Sequence, residues 1–395
     1  MNRQKEFKVL IQFVLLISIV LAASYFSSTL WGGKPKEIKP SHTLLLKNSM
    51  TISEFGKENN IPLPVLKKVF QLNTRQDLNK TIGDFHISED LLTKSITKNL
   101  AVYSEDNSKN WIKILIKFSL WITFLTFTFI LVRKNSVNVK NRKLLYIISI
   151  LAFGVVLGSD PNPMGTIKDA LVLFGESGAI FPPRLIALAI FLLMVFVANK
   201  FICSWGCQLG TLQDLIFRLN RNSKDTKGIF RQYKLPFVLT NFIRVMFFVL
   251  LMVLAVIWAF DIVEVIDPFK VFSPKMIGIA GWVFLGFILV SSLFVYRPWC
   301  HLFCPFGLAG WLLEKIAVFK IHVDYNTCTA CDACSKACPS DVMDAILKQD
   351  KVIPDCFSCG TCIEVCPTNS IQFLSKKREK VPEGKFEIKN IKTKA

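Results

Sequence analysis

Apolar residues gather in six long runs, about 9–30, 111–132, 144–158, 185–202, 237–260 and 277–296, separated by polar stretches. Runs of this kind cross a hydrocarbon layer of ~30 Å as helices, because lipid offers no partner to an open backbone group. The pattern predicts an α-helical integral membrane protein with about six transmembrane helices. The third run is short and interrupted by Gly154 and Gly158. Arg3, Lys5 and Lys8 precede the first run, and Ala22-Ala23-Ser24 is weakly cleavage-like. The run is longer than a signal core and lacks a clean small-x-small site, so residues 1–32 read as a retained anchor.

Between the first two runs lies a polar segment, 33–110, with an internal echo: "TISEF" starts at Thr51 and "TIGDF" at Thr81. Pro62 and Pro64 split the helical pattern after Thr51, a plausible helix cap. A small extracytoplasmic domain of two helix–turn–helix units is expected. His42 and His86 in it are isolated and read as surface residues. Runs two to six form a membrane core, 111–318, within which runs three to six read as a duplicated hairpin. Each hairpin has Asp-Pro at its outer turn (Asp160-Pro161, Asp267-Pro268) and C-x3-C after its returning run (Cys203/Cys207, Cys300/Cys304). Two hairpins of one orientation make a parallel repeat. Asp160 and Asp267 read as helix caps at these turns, with proton relay near the outer face as the alternative. A cysteine-rich segment, 319–375, and a charged tail, 376–395, complete the chain.

Composition agrees with a membrane protein: 52% of residues are hydrophobic and 19% charged. The net charge of +19 raises the question of nucleic acid. Its distribution answers it. Arg133, Lys134, Lys140, Arg142 and Lys143 lie between runs two and three; Lys200, Arg218, Arg221, Lys224, Lys227, Arg231 and Lys234 lie between runs four and five. The alternate loops are mixed in sign. Short basic loops stay cytoplasmic, and basic residues there also attract anionic lipid. Both termini are therefore expected in the cytoplasm, and no nucleic-acid partner is.

All twelve cysteines fall in four groups on that expected cytoplasmic side. In a reducing compartment this argues for metal or redox use rather than disulfides. "CTACDACSKACP" (328–339) and "CFSCGTCIEVCP" (356–367) both read C-x2-C-x2-C-x3-C-P. Three thiolates at that spacing hold three corners of an iron–sulfur cube, and the fourth reaches the other cube. The pairing assigns Cys328, Cys331, Cys334 and Cys366 to one 4Fe-4S cluster. Cys338, Cys356, Cys359 and Cys362 are assigned to the second. Structural zinc would want separated C-x2-C pairs instead. The "CSWGCQLG" and "CHLFCPFG" pairs place residues i and i+4 on one helix face. Together Cys203, Cys207, Cys300 and Cys304 offer four thiolates to one further metal or redox site.

The tail resembles a bacterial-type two-cluster ferredoxin, which implies a small α+β module that carries single electrons. With "CSWGCQLG" and "RPWCHLFCPFG" after apolar runs, residues 111–370 resemble the membrane polyferredoxins, of the NapH and NosR types. That resemblance implies a multi-pass protein of the bacterial inner membrane. It would exchange electrons between the quinone pool and the cytoplasmic clusters or a redox partner, as a quinol dehydrogenase subunit. The family's motif is C-x3-C-P; Pro305 matches it and Gln208 departs from it. The chain is also similar to accessory proteins of cytochrome oxidase assembly, which implies copper at the four membrane thiols, since soft thiolates select Cu(I). A third reading is a membrane redox sensor. Haem would need axial ligands, and none of His42, His86, His301 and His322 is expected in mid-membrane. No Rossmann glycine pattern, P-loop or nucleophile triad is present.

Overall fold

The structure is a computed structural model and describes residues 2–30 and 44–386, apart from 48, 73, 75, 86 and 159. His42 and His86 lie outside the described residues. The chain opens with α1 (Asn2–Leu30). A small helical unit follows, with α2 (Ile52–Glu58), α3 (Leu63–Val69) and α4 (Glu89–Asn107). Thr51 and Glu54 form a reciprocal capping box at the start of α2, which satisfies two orphan N–H groups at once. The sequence echo has a structural meaning. Thr51 and Thr81 pair across an antiparallel bridge, so the two copies meet at their first residues. The second copy differs from the first: Ile82–Phe85 is a single 3-10 turn rather than a helix. Ile52, Phe55, Leu66, Leu92 and Ile96 build a core separate from that of the remaining chain.

The apolar bundle begins with α5 (Trp111–Arg133), capped by Asn110. Then come α6 (Val139–Ser149), continued by a π-helical stretch over Ile150–Val156, and α7 (Pro163–Ser177). Next are α8 (Pro182–Ala198), α9 (Phe201–Trp205) and α10 (Gln208–Leu219). The second half has α11 (Phe237–Trp258), α12 (Ile262–Ile266), α13 (Ile279–Phe294), α14 (Pro298–Leu302) and α15 (Pro305–Glu314). Among the described residues three helices, Arg3–Thr29 within α1, α5 and α11, are long and apolar enough to cross a membrane. The runs read at 185–202 and 277–296 are shorter helices, α8 and α13, because the chain breaks at Asn199 and at Val295 before each thiol pair.

One element departs from the expected loop. Residues 163–177 form α7. Asn162 caps it through Met164 and Gly165, Pro163 supplies the pre-set first turn, and Gly178 ends it in the left-handed conformation. Its mixed polarity is local: Lys168 is buried against Asp261 and Glu264 at 2.8 and 2.9 Å. Asn162 thus takes the capping role expected of Asp160, which pairs instead with Lys117 on α5. Asp267 keeps its capping role, accepting from the Phe269 N–H at 2.9 Å.

The tail contains β1 (Lys320–Val323), α16 (Ala333–Ala337), α17 (Val342–Lys348), α18 (Thr361–Glu364) and β2 (Ile371–Leu374). β1 and β2 pair antiparallel, with Ile321 opposite Phe373. Phe373 packs edge-on to Phe129 of α5 and stacks on Phe201 of α9. The tail and the bundle therefore share one continuous core.

Close helix packing depends on Gly175. A Cβ there would stand 1.7 Å from the Ala255 carbonyl oxygen, whereas a Cβ on Gly286 would meet nothing within 4 Å. Gly175→Ala is expected to destabilise the protein by about 1–3 kcal/mol through forced separation of α7 and α11. Gly286→Ala should be neutral or mildly stabilising. Thermal unfolding of the two variants in detergent, read side by side, checks the contrast.

Candidate functional site

The thiol pairs do not sit where the runs end. Asn199 adopts a positive φ of 58° and turns the chain at the foot of α8. The short α9 then leads back into the bundle, where the Gly206 carbonyl accepts from Trp121 Nε1 at 2.8 Å. Trp121 lies ten residues after Trp111 and twelve before Arg133, so this contact is near the middle of α5. The second pair behaves alike. Arg297 turns the chain at a φ of 48°, and Phe303 packs on Phe247, near the middle of α11, at 5.3 Å. Both motifs are re-entrant, and the expected position at the edge of the bundle is corrected to its interior. His301 follows Cys300 and packs on Phe357 of the tail at 5.2 Å; its Nδ1 stands 3.1 Å from the Arg297 carbonyl oxygen.

The pairs also do not share a helix face. Cys203 is on α9 and Cys300 on α14, whereas Cys207 and Cys304 are the N-caps of α10 and α15. The break is chemical: a helix N-terminus leaves N–H groups open, and a thiolate there is stabilised. Cys207 Sγ accepts from the Gly210 N–H at 3.4 Å. Gly210 and Gly307 answer to each other. A Cβ on Gly210 would stand 2.5 Å from the Cys203 carbonyl oxygen, and one on Gly307 2.7 Å from that of Cys300. Gln208 occupies the first helical position, where Pro305 stands in the second copy. That position's N–H has no helical partner, so proline is not needed for the geometry. Cys203, Cys207 and Cys304 all lie within electrostatic reach of Cys300, so the structure gathers the four thiols.

Two more quartets lie on one side of them. Cys338, Cys356, Cys359 and Cys362 line a cavity of about 400 Å³, open mouth included. Cys328, Cys331, Cys334 and Cys366 line one of about 340 Å³. The near-equal volumes fit two equal groups. Among the described residues no three His, Cys, Asp or Glu converge as ligands of a single ion; these thiols ring cavities instead. Burial pushes Cys334 and Cys356 up to about 12. Such buried thiols ionise only with a metal to balance them, so the donor sets fit iron–sulfur clusters. Cys359 differs. Burial opposes its ionisation, but Arg218 and then Arg142 outweigh it and lower its pKa.

The cavity ringed by Cys338, Cys356, Cys359 and Cys362 faces the bundle; Cys331 of the other quartet is exposed. Phe357, next to Cys356, fills the gap toward the re-entrant motifs, 5.2 Å from His301 and 5.9 Å from Tyr296. Trp205 Nε1 donates to the Ser358 carbonyl at 3.2 Å.

Buried ion pairs hold this junction. Asp355 accepts from Lys200 of the first half and from Arg244 of the second, the latter at 2.9 Å. Asp214 accepts from Arg297 and Arg218, both at 2.6 Å, and from Tyr146 and Tyr296. Arg142 joins Asp225 at 2.8 Å to Glu364 at 2.9 Å. Arg142, Lys200 and Arg218 were expected as lipid-facing loop charges; they are buried. Nothing local in the sequence marks them, since Arg142 and Glu364 are 222 residues apart. The other missed contributors are Phe357 and Gly210, the latter foreshadowed by the glycine that follows each pair.

Removing one partner of a buried pair strands a charge, at about 3–5 kcal/mol. Asp355→Asn is expected to lower the unfolding temperature and expose the 315–320 connection to protease. Asp344→Asn removes an exposed pair with Lys348 and should change stability by less than ~1 kcal/mol. Limited proteolysis and thermal unfolding measured on both variants check this.

Comparison with known proteins follows the same division. The 4Fe-4S dicluster domain family matches residues 320–379. The 4Fe-4S binding domain family matches twice, over 180–224 and 277–324, once for each thiol pair. YccM of Escherichia coli (strain K12), whose name assigns it provisionally to electron transport, is 26% identical over 181 residues, covering 44% of this chain and 50% of that protein. Ferredoxin-type protein NapH of the same organism is 26% identical over 157 residues, covering 39% of this chain and 52% of that protein. Uncharacterized protein MJ0749 of Methanocaldococcus jannaschii is 23% identical over 231 residues, covering 58% of this chain and 82% of that protein. The chain spans about half the length of the two Escherichia coli relatives. No solved structure matches it.

Proposed function

Because the chain belongs to the NapH-type polyferredoxin family of iron–sulfur electron-transport proteins, we propose that it exchanges electrons between the membrane quinone pool and a redox partner met by its ferredoxin domain. The observation that carries this is that cysteines of three quartets belong to one continuous core. One lies inside the bundle, one lies behind Phe357 and one reaches the surface. In this reading the chain crosses the bacterial inner membrane six times. Both termini and the ferredoxin domain are cytoplasmic, and the unit built from α2 to α4 is extracytoplasmic.

Cys338, Cys356, Cys359 and Cys362 hold one 4Fe-4S cluster, and Cys328, Cys331, Cys334 and Cys366 hold another. Cys203, Cys207, Cys300 and Cys304 hold a third metal centre. The match of a 4Fe-4S binding domain to both thiol-pair segments favours iron there over copper. Bound clusters supply one-electron exchange at potentials set by charge, hydrogen bonds and exposure. The chain supplies those settings. Arg218 and Arg142 offset negative charge at Cys359. The N–H groups of Gly210 and of Gly307 with Phe306 point at Cys207 and Cys304. Trp205 and Phe357 exclude water between the bundle and the ferredoxin domain. Cys331, exposed, marks where a partner docks.

Metal analysis and EPR on anaerobically purified protein test the reading. Wild type is expected to carry about twelve iron atoms per chain. The variant with Cys203, Cys207, Cys300 and Cys304 all changed to Ser should keep about eight and lose one spectral component. About eight in both, with identical spectra, would sink the third iron centre; copper lost only from the variant would assign it to copper.

A further inference from the structure

The geometry points to the cleft at the distal end of the bundle, away from the ferredoxin domain, as the site where a membrane quinol is oxidised, with Asp267 as proton acceptor and Gln208 as the positioning residue that joins the cleft to the thiol quartet. This rests on the quinone-linked reading above.

The cleft has a volume of about 1450 Å³, open mouth included, and its walls include Trp111, Phe118, Phe181, Phe191 and Phe269. Phe118 and Phe191 stack at 5.9 Å with an interplanar angle of 17°. Trp111 and Phe181 stand 6.4 Å apart. The aromatic rings share the walls with charged side chains, Asp267 among them, a mixture that suits a ligand with a flat aromatic head bearing polar oxygens.

Two contacts run from the cleft to the thiols. Phe191 packs on Trp121 at 5.7 Å and on Phe306 at 6.3 Å. Trp121 donates to the Gly206 carbonyl, one residue before Cys207, and Phe306 lies two residues past Cys304. The second contact is polar. Pro161 lines the cleft, and its carbonyl accepts from Gln208 Nε2 at 3.3 Å. Gln208 follows Cys207 directly and is fully buried. Its Oε1 has no hydrogen-bond partner among the described residues. The residue that departs from the C-x3-C-P pattern is the one that ties the cleft to the thiol.

The cleft's charges are otherwise matched. Lys117 pairs with Asp160 at 3.3 Å, Arg184 with Glu105 at 2.7 Å and Lys270 with Glu264 at 2.8 Å. Lys168 is held by Asp261 and Glu264. Asp267 differs: it accepts the Phe269 N–H and forms no ion pair among the described residues. Burial raises its pKa to about 6 against the opposing pull of Lys168. Its carboxylate is then largely ionised at neutral pH and ready to take a proton.

Oxidation breaks both O–H bonds of the hydroquinone and leaves the quinone. One proton passes to the Asp267 carboxylate and the other to water at the open mouth. Two electrons leave singly to oxidised iron–sulfur centres, each reduced by one.

The test uses anaerobic full-length holoprotein in lipid nanodiscs, with decylubiquinol as reductant and an azidoquinone as photolabel. Wild type should be reduced by the quinol, and the label should map to peptides within 158–170 or 184–191. Asp267→Asn should be reduced at least about tenfold more slowly, with iron content, dithionite reduction and labelling unchanged. Gln208→Leu should keep the label and slow quinol-driven reduction. Reduction of Asp267→Asn at the wild-type rate, or label confined to the ferredoxin end, overturns the cleft while the quinone-linked reading stands. Neither reduction nor labelling of wild type overturns both.

Discussion

Lys200 and Arg297 stand at the same place in the two halves, three residues ahead of Cys203 and Cys300, and each reaches into the other half. Lys200 Nζ donates to the Gly307 carbonyl at 2.8 Å, and Arg297 donates to the Cys203 carbonyl at 2.5 Å. This reciprocal crossing fixes the two re-entrant turns against each other. Neither cation can be buried without the acids that meet it, Asp355 for Lys200 and Asp214 for Arg297, because an unpaired charge in this interior is too costly. Thiol convergence, ferredoxin docking and the depth of the motifs all follow from it.

The interruption of helix at each thiol pair is the second element. A continuous helix would have spent its N–H groups on its own carbonyls. Ending α9 and α14 one turn after they begin, and starting α10 and α15 at Cys207 and Cys304, turns open N–H groups toward sulfur. The close approach behind this needs glycine, since any Cβ on Gly210 or Gly307 would collide with a cysteine carbonyl.

Local features were legible in the sequence; long-range ones were not. The spacing of Cys328–Cys338 and Cys356–Cys366 named the two quartets that each ring one cavity. The Thr51 and Thr81 echo located the small helical unit. Hydropathy found the apolar segments but not their depth, because a turn at Asn199 or Arg297 leaves no mark on an average over a window. Polar residues misled for the same reason. Lys168 and Asp169 made α7 look like a loop, whereas Lys168 is buried against acids some ninety residues on. Arg142, Lys200 and Arg218 read as a topology signal, which is indifferent to whether a basic side chain faces solvent or an aspartate.

The continuous core has a consequence for assembly. Val318 and Phe319 donate to the carbonyls of Phe196 and Val197 at 2.8 Å, stapling the ferredoxin domain to the foot of α8. In the docked state the quartet behind Phe357 has Tyr296 in its wall and Trp205 hydrogen-bonded to the neighbouring Ser358 carbonyl. The thiols of that quartet come from the tail alone while Tyr296 of the bundle completes the cavity wall, so docking of the tail and the surroundings of that centre are set together.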